Sequence, residues 1–140
     1  TSRVNKVTSE VQIVDLELGN PSNPKVAVDG RNMVVVTRDG SASSVDVLFF
    51  KLNDNVWERD YAISEKYPSG EYRVAISGKI VLVGLPNAHE GAGAVFIHEE
   101  RRSGIWERVE EVLIPTTDAV RFAGQSIGLD GDLACVGDID

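Results

Sequence analysis

The chain has 140 residues, 42% of them apolar and 26% charged, with 22 acidic against 14 basic side chains and a formal charge of −8. That supplies about one domain with a core, is too apolar for a disordered tail, and contains no apolar run near the roughly 18 residues of a membrane span. The acidic balance argues against nucleic acid and against a polybasic membrane surface, since both need clustered Lys and Arg to meet phosphate.

The chain opens Thr1-Ser2-Arg3-Val4, without the basic start and apolar core of a signal peptide, and reads as an internal segment. The first element, Val11 to Leu18 within 7–19, reads as a lone strand. From Val26 onward the sequence repeats. VAVDGRNMVVV begins at Val26, VAISGKIVLVG at Val74 and IGLDGDLACVG at Ile127, at offsets of 48 and 53 residues. In each, two apolar runs flank Asp29-Gly30, Ser77-Gly78 or Asp130-Gly131. Gly takes the positive φ of a tight turn without steric penalty, so each block predicts a β-hairpin.

A third strand follows, Val45 to Phe50 in one unit and Gly93 to His98 in the next, rich in β-branched and aromatic residues. Then Trp57-Glu58-Arg59 returns as Trp106-Glu107-Arg108, at an offset of 49. The segment after Trp106 has helical spacing as well, through Ile105, Trp106, Val109, Val112 and Leu113. Its equivalent places Trp57, Tyr61 and Ile63 on one face of a strand and puts Asp60 where a helix needs Val109. Equivalent repeats share one structure, so both segments are predicted as strands. The chain is therefore expected to be all-β, in four-stranded antiparallel units over 24–68 and 72–116, with a first hairpin at 122–140.

Four strands in about 50 residues is the pattern of β-propeller blades. The blocks VAISGKIVLVGLP (74–86), GAVFIHEERRSGIW (93–106) and SIGLDGDLACVGD (126–138) resemble the FG-GAP-type repeats of integrin alpha-chain propellers. The resemblance covers most of residues 24–140 and implies about 2.75 blades, a fragment of a longer propeller, and an extracellular or cell-surface adhesion setting. The repeats are degenerate: Phe-Gly is absent before Val26 and Val74, and Phe122-Ala123-Gly124 carries an extra residue. Gly-Ala-Pro becomes Gly84-Leu85-Pro86 and is lost at Val36-Thr37-Arg38. The integrin-like calcium loop is missing, since the turns at Asp29, Ser77 and Asp130 are too short and hold too few carboxylates, so no metal is expected there. With a lone strand first and a hairpin last, the chain is expected to meet either further blades or other copies of itself, because open strand edges invite association.

Residues with possible chemistry are few. Cys135 has no partner for an internal disulfide, and Ala134 and Val136 beside it predict a buried, inert thiol. His98 takes the place of Phe50 and reads as a core or edge histidine, and Trp57 and Trp106 read as packing between blades. No zinc spacing, nucleophile elbow or phosphate loop occurs, which leaves no catalytic residue and no cofactor to nominate. Two function classes remain. One is a non-enzymatic interaction module binding a protein or glycan; the other is part of a propeller hydrolase or lyase whose polar residues gather from other blades. The small apolar residues of the innermost strands, Val26, Ala27, Val74, Ala75 and Gly128, favour the first. In a propeller the loops after strands two and four share one face, and here they carry Arg38, Asp39, Tyr72, Arg73, Asn87, His89, Glu90, Arg121 and Phe122. That mixture of aromatic, Arg and polar side chains suits a partner-binding face. It also suits a merely solvated one.

Overall fold

The computed structural model describes residues 21–39, 44–66, 70–113 and 121–139. The expected strand at 7–19, Ile114 and Asp140 lie outside the described residues. Ten strands are described. The first sheet is β1 (Pro21–Asp29), β2 (Asn32–Asp39), β3 (Ser44–Asn53) and β4 (Val56–Lys66), hydrogen-bonded in that order. The second is β5 (Arg73–Ser77), β6 (Ile80–Leu85), β7 (Ala94–Arg102) and β8 (Ile105–Val112), again in chain order, and β9 (Arg121–Asp130) pairs with β10 (Leu133–Ile139). All these pairings are antiparallel. Residues 105–112 form a strand, so the helical spacing there is incidental. Among the described residues no helix is long and apolar enough to cross a membrane.

Strand register reproduces the sequence repeat. The three hairpin turns close at Asp29 and Asn32, Ser77 and Ile80, and Asp130 and Leu133. Their glycines have φ of 57°, 55° and 56°, a region costly for residues with a Cβ. Met33 pairs with Phe50 as Val81 pairs with His98. The third and fourth strands slip register between Phe49 and Phe50 and again between Ile97 and His98, a bulge at the same repeat position.

The units stack in sequence. β5 lies against β1 and β2, β4 against β8, and β9 against β5, β6 and β7. Because side chains alternate along a strand, each sheet has a back face and a front face. The front of the first sheet (Val34, Val36, Val47, Phe49) and the back of the second (Ile76, Val81, Val83, Phe96) form one core cluster. Trp106 stacks on Phe49 across this seam, with ring centroids 4.4 Å apart and planes at 11°. Arg108, two residues on, lies over Phe96 at 4.9 Å. Trp57 packs on a second cluster, Met33, Val35, Leu48 and Phe50, on the back of its own sheet. Both tryptophans thus cover the back of their sheets, and Trp106 does so in the seam between the two sheets. His98 is buried, 6.3 Å from Phe49 between ring centroids.

The second seam, between the second sheet and the β9–β10 hairpin, is built differently. A Cβ on Gly84 would overlap the Gly124 carbonyl oxygen, and one on Gly93 would overlap the Ala123 backbone. The glycines let two backbones touch, and the Ala123 amide donates to Ala92 O at 3.1 Å beside a parallel bridge between Gly93 and Ala123.

At the hairpin-turn end both seams share one device. The Gly78 amide donates to Asp29 Oδ2 at 2.6 Å, and the Gly131 amide donates to Ser77 Oγ at 2.9 Å. The residue before each turn glycine thus holds the turn glycine of the next unit.

One expectation is corrected here. Cys135 is exposed. It lies on the outer face of the β9–β10 hairpin, where its repeat equivalents Val34 and Leu82 are covered by a following unit and it is not.

Candidate functional site

The loop end gathers the residues singled out from the sequence. After β6, Pro86 to Gly93 make a compact turn around a single 3₁₀ segment, His89–Gly91. Amides of Ala88, Gly91, Ala92 and Gly93 donate to Leu85, Ala88, His89 and Ala88 carbonyls at 2.9–3.1 Å, so the loop carries its own hydrogen bonds. It is anchored to β9 through Ala92 and Ala123.

Within this cluster His89, Glu90 and Phe122 have φ of 49°, 59° and 59°. Among the described residues, the other non-glycine residues with positive φ are Asn23, Asp54 and Asn55, types that enter the left-handed region readily. His enters this region more readily than most residues, but left-handed Glu and especially Phe are uncommon, and each of these two costs on the order of 1 kcal/mol that the surrounding contacts must offset.

The side chains follow from this backbone. His89 Nε2 lies 2.7 Å from Glu111 Oε1 of β8, and both are substantially exposed. Phe122 is exposed, its ring edge beside Gly91, where an added Cβ would lie 3.8 Å from Cε1. Asn87 is exposed and sits against Gly70, whose missing Cβ makes room for its amide. Arg73 donates to Glu71 Oε2 at 2.9 Å and to Tyr72 O at 3.1 Å. Through its hydrogen bond and charge, Arg73 holds the fully exposed Glu71 carboxyl below its ordinary range. Tyr72 is in the core at 3% exposure. Burial pushes its hydroxyl up, against the opposing charge of the half-buried Arg38. Asp39 and Arg121 are described as backbone positions, at the end of β2 and the start of β9.

The structure therefore brings Arg73, Asn87, His89, Glu90 and Phe122 to one exposed end and withdraws Tyr72 into the core. Glu111 joins that end unannounced, because only the register of β7 with β8 places it beside His89.

The opposite, turn end holds an open cleft of about 520 Å³ lined by Arg31, Lys51, Lys79, Glu100 and Ser103 among others. Lys51 donates to Glu100 Oε1 across the seam at 2.8 Å and lies 3.8 Å from Asp60 Oδ2. The same Glu100 oxygen accepts the Gly104 amide at 2.7 Å. Burial alone would push the Glu100 carboxyl up. The Gly104 amide, Lys51 and the charge of Lys79 outweigh it and hold the carboxyl below its ordinary range. Arg31 donates through Nε and Nη2 to Leu52 O at 2.9 and 2.6 Å. With their cations tied to internal acceptors, Lys51 serves the seam and Arg31 ties the β1–β2 turn to β3 within the first sheet. Among the described residues no three His, Cys, Asp or Glu side chains converge as a metal-ligand set.

No protein-family model, curated protein or solved structure matches this chain.

Proposed function

We propose that this chain is a non-enzymatic interaction module of FG-GAP-like propeller blades that binds a protein or glycan through its loop end. The observation that carries the reading is the cluster of left-handed His89, Glu90 and Phe122. Glu90 and Phe122 are held in a costly conformation beside left-handed His89 at one exposed end, on the 86–93 loop and the start of β9, both fixed by the sheet stack. Strain of this kind concentrates where a surface is shaped for a partner. Phe122 is the aromatic anchor, and the His89–Glu111 pair and Arg73 are its polar surround. An adhesion role at a cell surface follows from the blade resemblance and from the same exposed loops.

The test is a screen of immobilised glycans and matrix proteins against the wild-type chain, repeated with His89→Ala, Phe122→Ala and the turn-end variant Lys79→Ala. The expected result is a binder weakened by about tenfold, or more than 1 kcal/mol, by Phe122→Ala and less by His89→Ala, with Lys79→Ala unchanged. Binding lost only in Lys79→Ala would move the site to the turn end. Tyr72→Ala is a stability variant, since its side chain is buried.

A further inference from the structure

The internal seams show what each face of a unit is built to meet, and the outermost faces repeat that design. On the back of the second sheet Val74 and Ile76 pack into the core, Ile76 to 8% exposure. Their equivalents 48 residues earlier, Val26 and Val28, share a face of β1 and are 56% and 55% exposed. On the front faces Val34 and Leu82 are 0% and 1% exposed, while the third member of the series, Cys135, is exposed and Leu133 nearby is 69% exposed.

The turn contacts show the same gap. Asp29 holds the Gly78 amide and Ser77 holds the Gly131 amide. The third residue in this series, Asp130, makes no such bond among the described residues, and neither does the first turn amide, that of Gly30. Asn32 adds a bond from Nδ2 to Gly78 O at 3.0 Å, and Leu133 stands at the equivalent position.

We propose that the outer face of the β9–β10 hairpin docks on β1 of a second copy of this chain, head to tail. The Asp130 carboxylate accepts the second copy's Gly30 amide, and Val26 and Val28 of that copy cover Cys135 and Leu133. The occupant is specified by what the face requires at once: a left-handed turn glycine with an open amide, and two β-branched residues two and four positions before it. Those are the features that Val74, Ile76 and Gly78 bring to the first seam. A second copy presents all of them exposed on one strand. The contact joins two different surfaces, so it propagates into a ring or a filament and never closes as a symmetric pair. It is independent of what the loop end binds.

Cys135 is the chain's single cysteine and so reports directly on this face. The experiment combines sedimentation over a concentration series with thiol labelling, using wild type, Val28→Asp and Leu133→Asp; both substituted side chains are exposed, so the fold tolerates them. Wild type is expected to self-associate, with labelling of Cys135 slowed about tenfold or more at the highest concentration. Each variant alone is expected to be monomeric and fast-labelling. An equimolar mixture is expected to form a one-to-one dimer, since each variant keeps the face that the other lacks. The proposal is overturned by a wild-type chain that is monomeric and labels freely at every concentration, by Cys135 protected at all dilutions, by association that survives both substitutions, or by a mixture that stays monomeric.

Discussion

The two seams of this molecule do the same job by different chemistry. Between the first and second sheets, side chains fill the space: Val36 and Tyr72 lie in the core, Trp106 stacks on Phe49, and Lys51 reaches Glu100. Between the second sheet and the β9–β10 hairpin, Gly84 stands where Val36 stands in the first unit, and the backbone of Gly124 takes the volume that a side chain would occupy. At the turn end the seams agree, each with a side chain before the turn glycine accepting the next unit's amide. The repeat thus keeps its spacing at the turns and lets the loop end vary, which is where Phe122 and the 86–93 loop are displayed.

The comparison breaks most visibly at Trp106. Trp106→Ala is expected to cost about 3–5 kcal/mol in urea unfolding, and Trp57→Ala, at a half-buried site, clearly less. Equal losses would mean that the aromatic seam carries no special weight. Gly84→Ala should come next, at about 1–3 kcal/mol, because its methyl meets a backbone carbonyl that no rotamer change relieves. Val36→Ala at the equivalent site should open a cavity without forcing the backbones apart. A neutral Gly84→Ala would show that the close approach is dispensable.

The smallest effect is a pH dependence confined to the first seam. Glu100 sits below its ordinary value of 4.5 in the folded chain, so it releases its proton more readily folded than unfolded. Its contribution is complete above that value and is lost as pH falls through and below it. Glu100→Gln is therefore expected to lower stability at neutral pH and to flatten the acid limb of a stability profile. An unchanged acid limb would remove the pair from the seam's account.

Much of this architecture was legible in sequence. Asp-Gly and Ser-Gly between apolar runs marked the hairpins, and the return of Trp-Glu-Arg resolved the 105–112 segment against its own helical spacing. Three features were not legible. Asp29 and Ser77 read as local turn residues, and their second role appears only when units stack. Cys135 sits in an apolar pattern that predicts burial, but burial requires a neighbour that local pattern does not report. Tyr72 looked like a loop anchor because it precedes β5, yet it turns into the core beside Arg38. At the loop end the sequence located the exposed residues, while the left-handed backbone of Phe122 left no signal beyond the extra residue in Phe122-Ala123-Gly124.

The central claim is that successive units are registered by a side chain reaching the next turn glycine. Residue-resolved amide exchange, recorded on the Val28→Asp chain to exclude contact between copies, tests it most directly. Gly78 and Gly131 are expected to exchange at least about tenfold more slowly than Gly30. Asp29→Ala should accelerate Gly78 alone, and Ser77→Ala should accelerate Gly131 alone. Equal exchange at all three glycines, or indifference of Gly78 to the loss of Asp29, would contradict the account.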